Sequence, residues 1–202
     1  NYPAVEDREL RSGIVHRLDK ETSGVLLVAK TPETFENLQA QFKSRKVKKE
    51  YIALVHGKVD APIGGEGVIN APVGRLPWNR ERFGVLAGGR EASTSYKVLE
   101  YYSPITDSRS VFTLTEFYPK TGRTHQIRIH AKYLGHPVVS ANFYAGRKTA
   151  RKDKLWCERL FLHAKSISFI HPESGKTIAV KSELSPDLRK ALASLEKLSQ
   201  TP

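Results

Sequence analysis

Apolar residues recur along the first quarter of the chain with the spacings of both strands and helices. Residues 25–31 form an almost continuous run of valines and leucines, which predicts a buried strand. Pro32 follows, and a helix is predicted from there to about Lys43 because apolar residues return every three or four positions: Phe35, Leu38 and Phe42. A basic run at 43–49 then leads into a second predicted strand at 51–55.

The second half of the chain is dominated by strand patterns. Residues 93–102 and 110–118 alternate as two antiparallel strands with a turn at 103–109, whereas the glycines and prolines of 60–77 indicate irregular connections. A further strand is predicted at 160–170. Helices are predicted at 124–134, where Gly135 supplies the stop, and at 185–198, where Ser185 is the N-cap and three leucines face inward: Leu188, Leu192 and Leu195.

Strands that are joined mainly by short turns, with only a few helices, indicate an α+β fold. We therefore expect a central, largely antiparallel mixed β-sheet flanked by helices. The chain shows no internal repeat and no clear linker, so its 202 residues are assigned to a single domain, 1–202.

The net charge narrows the possible partners. The chain has 33 Lys and Arg against 21 Asp and Glu, a formal charge of +12, and such a field attracts polyanions. We expect nucleic acid rather than an acidic membrane, because no basic amphipathic helix with a bulky apolar face is visible. No apolar run approaches the roughly 20 residues of a membrane span, and no signal peptide is visible, so a cytoplasmic location is expected.

Several classes of chemistry lack their usual motifs. Cys157 is the only cysteine, so no cysteine cluster can hold a metal. His125 and His130 are five residues apart, which on the predicted helix separates them by about 140°, so they cannot chelate one ion as an i, i+4 pair does. The glycine-rich segments at 64–67 and 87–91 lack the context of a phosphate-binding loop, and no GxSxG elbow occurs.

Three polar stretches remain: GIVHRLDKETSGVLLVAK at 13–30, KKEYIALVHG at 48–57 and PKTGRTHQIRIHAKYLGHP at 119–137. Each has an ordinary interpretation when taken alone. Asp19 is typical of a turn, Tyr51 of a core, and Arg123 and Arg128 of a solvated basic face. Their combination is what requires another explanation.

The motifs resemble those of one enzyme family. HRLD at 16–19 with TSG at 22–24, then GRTHQIRIH at 122–130, LGHPVV at 134–139 and RLFLHA at 159–164 are similar, in this order, to the RluA/RluD-type pseudouridine synthases of the ribosomal large subunit. The resemblance extends from about residue 13 to about residue 181. It implies a catalytic domain with an active-site cleft that isomerises uridine in RNA, ribosomal RNA ahead of transfer RNA, with no cofactor and no metal. A monomer is expected.

The resemblance also implies catalytic roles. Asp19 is the carboxylate that traps or stabilises the intermediate, and whether it attacks the sugar carbon, attacks the ring or assists a glycal-forming step stays open. Arg128 is its ion-pair partner, because a guanidinium can orient a carboxylate and favour its charged form. Tyr51 lies against the uracil, with its oxygen near the carbon that loses a proton.

Substrate contacts follow from the need to flip a stacked uridine out of the RNA. Arg17 is the candidate to brace the gap, since its flat guanidinium can stack and contact phosphate. Leu162 or Leu160 is expected to form an apolar wall of the uracil pocket. His16, Arg123 and His125 are further substrate-binding candidates.

Two departures from the family pattern stand out. A Lys-Pro-containing strand and an additional small RNA-binding domain often precede the HRLD element in the family, and neither is present here, so an incomplete catalytic domain is expected. Ser140-Ala141-Asn142 stands where the family more often has a Gly and an Asp shortly before a tyrosine, here Tyr144.

Two other functions are compatible with parts of the sequence. One is a non-catalytic RNA-binding or ribosome-assembly module on the same fold. The other is a glycoside hydrolase that uses Asp19 and Glu21, which would need these carboxylates roughly 5–9.5 Å apart across a sugar. The positive charge and the absence of an aromatic sugar platform near the pair argue against the hydrolase.

Overall fold

The computed structural model describes residues 13–105 and 109–198. Residues 1–12, 106–108 and 199–202 lie outside this description, and with them both ends of the predicted 1–202 domain and the middle of the predicted turn at 103–109. Within the described ranges, no helix is long and apolar enough to cross a membrane.

Four helices and ten strands make up the described part of the chain. The helices are α1 (Pro32–Lys43), α2 (Gln126–Tyr133), α3 (Arg147–Asp153) and α4 (Pro186–Ala193). The strands are β1 (Ser23–Gly24), β2 (Lys48–His56), β3 (Glu66–Asn70), β4 (Val73–Leu76), β5 (Asn79–Val85), β6 (Ser93–Pro104), β7 (Phe112–Pro119), β8 (Leu162–Ile170), β9 (Thr177–Lys181) and β10 (Leu195–Lys197).

The described strands form one large sheet and one small hairpin. The large sheet has the order β1-β8-β2-β7-β6-β10, with β3 beside β6 and β9 beside β8, and the hairpin pairs β4 with β5. Within the large sheet β1 and β8 run parallel, and the other described pairs are antiparallel. The predicted α+β class with a largely antiparallel mixed sheet is therefore confirmed.

Apolar side chains cover both faces of this sheet. Ala53 and Val55 of β2 pack in one buried cluster with Ile127 of α2, whereas Leu54 between them packs in another with Leu188 of α4. Successive side chains of a strand point to opposite faces, so both faces of β2 are buried and each carries a helix. The strands predicted at 51–55, 93–102, 110–118 and 160–170 all occur with shifted ends.

Helix α1 occurs with the predicted bounds because local signals mark them. The Thr31 side chain accepts a hydrogen bond from the Thr34 N–H over 3.2 Å, and Pro32 occupies the first turn. Phe35 and Leu38 are buried against β8 residues such as Ile167.

The strand predicted at 25–31 is wrong. The regular strand is the two-residue β1 before it, and in 25–31 only Val28 makes an isolated bridge, with Ile14. The N–H groups of this segment bind irregular partners. The Leu27 N–H donates to the ring of His16 over 2.8 Å and the Ala29 N–H to the Gly13 carbonyl over 2.8 Å, so no ladder forms.

The helix predicted at 185–198 is too long. It ends at Ala193, and Leu195–Lys197 forms strand β10 against β6. Ser185 precedes the helix, but its side chain makes no capping hydrogen bond and binds Arg159 instead over 2.7 Å. Leu195 continues the helical spacing of the leucines, but it pairs with β6 and is therefore part of a strand.

Three other segments differ from the sequence prediction. Residues 60–77 were expected to be irregular, but they contain β3 and β4, which pair with β6 and β5. The helix predicted at 124–134 begins only at Gln126, because His125 has a left-handed backbone with φ of 54°. Helix α3 was not predicted at all.

Candidate active site

A cleft of about 560 Å³ opens where the three polar stretches meet. Its wall is formed by the segment before β1, the start of β2 and the turn that leads into α2. All the site residues named from the sequence line it: His16, Arg17, Asp19, Tyr51, Arg123, His125, Arg128 and Leu162. Leu160, the alternative to Leu162, does not line the cleft and is fully buried in the core.

Asp19 and Arg128 form the central ion pair of the cleft. The Nη1 atom of Arg128 lies 3.4 Å from Oδ2 of Asp19, and both side chains are mostly buried. The Arg128 guanidinium also packs over the ring of Tyr144, 4.9 Å from its centroid. Its Nε is buried without a hydrogen-bond partner among the described residues. Arg128 therefore holds the carboxylate and still has an unused donor.

His125 approaches the same carboxylate from the end of the turn. Its Nε2 lies 3.9 Å from Oδ2 of Asp19, and its Nδ1 shares a 2.9 Å hydrogen bond with the hydroxyl of Tyr144. Burial lowers the pKa of His125, the Asp19 charge opposes this, and Arg128 and Arg17 add to the lowering. The left-handed backbone at His125 turns the ring into the cleft before α2 begins.

Tyr51 lies opposite a bulge in β8. The register between β2 and β8 shifts between Glu50, which pairs with Ser166, and Tyr51, which pairs with Ala164, so the extra residue belongs to β8. Burial, with the charge of Asp19, raises the pKa of Tyr51 to about 12. Its phenol is therefore protonated at neutral pH and presents a ring and a hydrogen-bond donor to the cleft.

His16 and Arg17 are adjacent in the chain but lie in different environments, since His16 is packed against other residues and Arg17 is exposed. The His16 ring accepts the Leu27 N–H and stacks on Phe42 with centroids 5.1 Å apart. Burial, helped by the charge of Lys49, lowers the pKa of His16 to about 4, so the ring is neutral and anchors the loop. Arg17 is exposed and lines the cleft, so its guanidinium is accessible from solvent.

Arg123 and Leu162 lie on different walls. The Nε of Arg123 donates to the Glu91 carbonyl oxygen over 2.9 Å, which ties the turn before α2 to the strand region before β6. Leu162 begins β8 and is buried, with its side chain on the cleft. It supplies an apolar surface of the kind that a planar base requires.

Lys49 lines the cleft and was missed by sequence reasoning. Its Nζ donates to the Thr121 carbonyl oxygen over 3.2 Å, and burial lowers the pKa of Lys49 to about 8. The sequence places it inside an exposed-looking basic run at 43–49, so its burial left no visible signal. A cation that is partly withdrawn from water here can contact a nucleotide phosphate.

The loop that carries Asp19 is held in place by its own turn and by contacts with β8. The Thr22 N–H donates to the Asp19 carbonyl oxygen over 2.9 Å, closing the turn. Gly24 has φ of +109°, and a Cβ at this position would lie 2.2 Å from the Ala164 carbonyl oxygen. Ser23 lies between them and binds the ring of His163 over 2.9 Å. The TSG element therefore joins the loop of Asp19 to β8 at a spacing that only glycine permits.

The departure at Ser140 has a local structural role. Ser140 has a left-handed backbone with φ of 59°. Its N–H donates to the Asp153 carboxylate over 2.8 Å, and its hydroxyl donates to the Cys157 carbonyl oxygen over 2.6 Å. These bonds fix the chain just before Tyr144, the residue that supports both His125 and Arg128.

The described residues contain no arrangement of side chains that would form a metal site. No group of three or more His, Cys, Asp or Glu side chains there is arranged to hold an ion. The ring nitrogens of His130 are bound by the Thr94 hydroxyl at 2.9 Å and the Ala71 carbonyl at 3.0 Å. His130 therefore anchors α2 to the sheet and does not face the cleft.

The family follows from a direct match. Residues 2–133 match the sequence profile described as RNA pseudouridylate synthase. The chain belongs to this family. The resemblance to the ribosomal large subunit type also holds, since the chain is 39% identical over 185 residues to ribosomal large subunit pseudouridine synthase C of Vibrio cholerae, covering 91% of this chain and 55% of the relative.

The chain is also similar to other RNA pseudouridine synthases in sequence and in structure. Ribosomal large subunit pseudouridine synthase D of Nitrosomonas europaea is 39% identical over 192 residues, covering 93% of this chain and 52% of the relative. The solved structure of human RNA pseudouridylate synthase domain containing 1 superposes with a TM-score of 0.77 at 26% identity, covering 96% of this chain and 80% of that one. The chain spans about half the length of the curated relatives it matches.

Proposed function

We propose that this chain carries the active centre of an RNA pseudouridine synthase that isomerises uridine to pseudouridine in structured RNA. The observation that supports this most directly is the Asp19–Arg128 ion pair in a cleft of about 560 Å³ that also contains Tyr51 and Leu162. Ribosomal RNA is the favoured substrate, because the curated relatives carry large-subunit names. A non-catalytic binding module has no need for a mostly buried carboxylate at a surface that meets phosphates.

The reaction balances without any added reagent. The bond between uracil N1 and ribose C1′ breaks, the uracil turns, a new bond joins C5 to C1′, and the proton on C5 leaves while N1 gains one. Asp19 stabilises or traps the species formed between the two bonds. Arg128 keeps the carboxylate aimed at that species, which is the positioning that makes such a step effective.

Tyr51 packs against the uracil and directs its hydroxyl at the ring. With a pKa raised to about 12, the phenol begins the reaction protonated. It can accept the C5 proton only if its own proton moves to another group in the same step, and otherwise it acts as a donor to the turning base.

Arg17 is proposed to assist base flipping. It is exposed at the mouth of the cleft, where a guanidinium can replace the departed base or contact the flanking phosphate. Arg17→Ala is expected to reduce extrusion of a fluorescent base analogue more than overall RNA affinity. Equal losses in both measurements would make Arg17 a phosphate contact and refute this role.

The experiment that tests the proposed function is tritium release from RNA labelled at C5 of uridine, with total RNA from cells that lack this protein. Wild type is expected to release tritium and Asp19→Asn is expected to release none while it keeps its fold and RNA affinity. Glu21→Gln is the matched control, because it neutralises the other carboxylate of the same loop and should retain turnover.

The outcomes separate the candidate functions. Turnover that survives Asp19→Asn would refute the assigned nucleophile. No release by the wild type, with RNA binding intact, would favour the binding module for this chain. Loss of activity in Glu21→Gln as well as Asp19→Asn would point to a paired-carboxylate mechanism.

A further inference from the structure

A second, smaller groove of about 330 Å³ lies outside the active-site cleft. It is formed by β5, the segment before α3 and α3 itself. Six described residues line it. Four of them are basic, namely Arg82, Arg147, Arg151 and Lys154, and the other two are Asn142 and Phe143. None of the described lining residues is acidic. None of these six residues lines the active-site cleft, and none has a role in the proposed reaction.

The basic side chains are displayed by a rigid support. Arg147 and Arg151 are both exposed and four residues apart on α3, so they project from one face of the helix. The opposite side of α3 is fixed, because Asp153 is buried and its carboxylate binds both the His56 ring at 3.0 Å and the Ser140 N–H at 2.8 Å. Two cations held in this way can neutralise successive phosphates of one strand.

An exposed aromatic ring completes the groove. Phe143 is 56% exposed, and the Arg82 guanidinium lies 5.3 Å from its ring centroid. A phenyl ring with one face accessible, set among cations, is the usual arrangement for stacking an unpaired base of a single strand. A surface that met only a folded acidic protein would not need a flat ring between its cations.

The groove adjoins the catalytic cleft through consecutive residues. The ring of Phe83 lies 6.2 Å from the His125 ring, and the ring of Tyr144 lies 5.9 Å from it. Their chain neighbours Arg82 and Phe143 face each other in the groove. One layer of side chains therefore separates the flipped-uridine site from the basic groove.

We propose that this groove binds a single-stranded segment of the substrate RNA that flanks the target uridine, with Arg147 and Arg151 on phosphates and Phe143 stacked on a base. The inference rests on the proposed function for the identity of the RNA. It assigns the groove to affinity and substrate choice and leaves the chemical step to Asp19.

The test measures binding of a fluorescein-labelled single-stranded RNA of about 20 nucleotides by anisotropy at several NaCl concentrations. The double variant Arg147→Gln/Arg151→Gln is expected to reduce the slope of log affinity against log salt by about 1.4, since each single-strand phosphate contact contributes about 0.7. Phe143→Leu keeps an apolar side chain but removes the ring. It is expected to weaken binding at least about fivefold with an unchanged slope.

The matched control is Lys176→Gln/Lys181→Gln. It removes two exposed charges that line neither the cleft nor the groove, and it should leave affinity and slope closer to wild type than the groove variant does. Unchanged thermal unfolding of all three variants excludes misfolding as the cause. Equal effects of the two double variants would mean that only net charge matters, which would overturn the proposal.

Failure of this inference is distinguishable from failure of the proposed function. If wild type releases tritium but the groove variants bind RNA with wild-type affinity and slope, the groove serves another partner, such as an acidic protein surface, and only the groove proposal fails. If no RNA is isomerised but the groove variants still lose affinity and slope, the groove is an RNA site and the enzymatic proposal fails.

Discussion

The Nη2 atom of Arg159 donates a hydrogen bond to the Ser23 hydroxyl over 2.9 Å. The Nη1 atom of the same guanidinium donates to the Glu21 carbonyl oxygen, also over 2.9 Å, and Nε binds the Asp187 carboxylate at 2.5 Å. Glu21 lies within the turn that begins at Asp19, and Ser23 directly follows that turn. Arg159 therefore holds the loop of Asp19 through the Glu21 carbonyl oxygen and the Ser23 hydroxyl rather than by contact with the Asp19 carboxylate.

Replacing Arg159 by lysine should slow catalysis more than it weakens substrate binding. Lysine keeps the charge but cannot supply the forked donors that reach Glu21 and Ser23 together. We expect Arg159→Lys to lower kcat about 10- to 100-fold with a smaller change in KM, since small misplacements of a catalytic group have effects of this size. Steady-state tritium release measures both constants.

The matched control for this prediction is Asp187→Asn. It weakens the outer partner of the guanidinium and leaves both bonds to the loop in place. Its kcat should remain within about threefold of wild type. A large loss of kcat in Asp187→Asn, or none in Arg159→Lys, would contradict the positioning role.

Acid should destabilise the fold through His16. The unfolded chain takes up a proton at this ring near pH 6.5, whereas the folded chain does so only near pH 4. Protons therefore favour the unfolded state in this interval, and the free energy of unfolding falls as the pH is lowered from 6.5 to 4. The contribution of His16 is on the order of 2–3 kcal/mol.

The measurement for His16 is urea unfolding at pH values across this interval, with His16→Gln as the comparison. The glutamine carbonyl can still accept the Leu27 N–H but does not titrate. The free energy of unfolding of the wild type minus that of the variant should become smaller as the pH falls from 6.5 to 4, because only the wild type takes up a proton at position 16 on unfolding. A difference that is constant from pH 6.5 to pH 4 would show that the ring is not held neutral.

Lys49 should make RNA binding sensitive to mildly alkaline pH. Its pKa is lowered to about 8, so its charge is present below pH 8 and is lost above it, while the arginines of the cleft stay charged. We expect KM for RNA to rise roughly tenfold when this cation is lost. Steady-state tritium release at pH values on both sides of 8 measures the change.

Two variants test whether the charge of Lys49 causes this pH dependence. Lys49→Arg keeps a positive charge at every pH, and Lys49→Met removes the charge but keeps a long side chain. The arginine variant is expected to have a KM that does not change near pH 8, because its charge persists. The methionine variant should have a high KM at every pH. If wild type and Lys49→Arg share the same pH dependence, another group is responsible.

Gly24 should tolerate no side chain. A Cβ there would lie 2.2 Å from the Ala164 carbonyl oxygen, and the backbone φ of +109° is unfavourable for other residues. We expect Gly24→Ala to lower the free energy of unfolding by about 3 kcal/mol or more. Gly175→Ala is the control: φ is +66° and nothing lies within 4 Å of its added Cβ, so a loss of about 1 kcal/mol is expected. Equal losses would refute the steric argument.

Elements whose boundaries carry local signals were predicted well from the sequence. Helix α1 was predicted to within a residue because Pro32 marks its start and Phe35, Leu38 and Phe42 recur at helical spacing. The central strands were predicted because each carries an apolar run or alternation. Strand β10 was not, because Leu195 has helical spacing and only its pairing with Pro104 makes it a strand.

The residues that line the cleft were named from short motifs, but several of their supports were not. Lys49 meets Thr121 across 72 positions, and Arg159 meets Ser23 across 136. Neither pair has a spacing that a helix or strand pattern could reveal. The fold alone brings them together.

By itself the sequence determined the class of fold and the basic character of the chain, and the resemblance of its motifs to a known family named Asp19, Tyr51 and Arg128 as a set. Fold class and charge depend on residue type and local spacing, which the chain displays directly. Tertiary structure decided the electrostatic state of the site, from the lowered pKa values of His16 and Lys49 to the raised pKa of Tyr51. Such shifts arise from burial and from charges that are distant in the chain, and folding creates both.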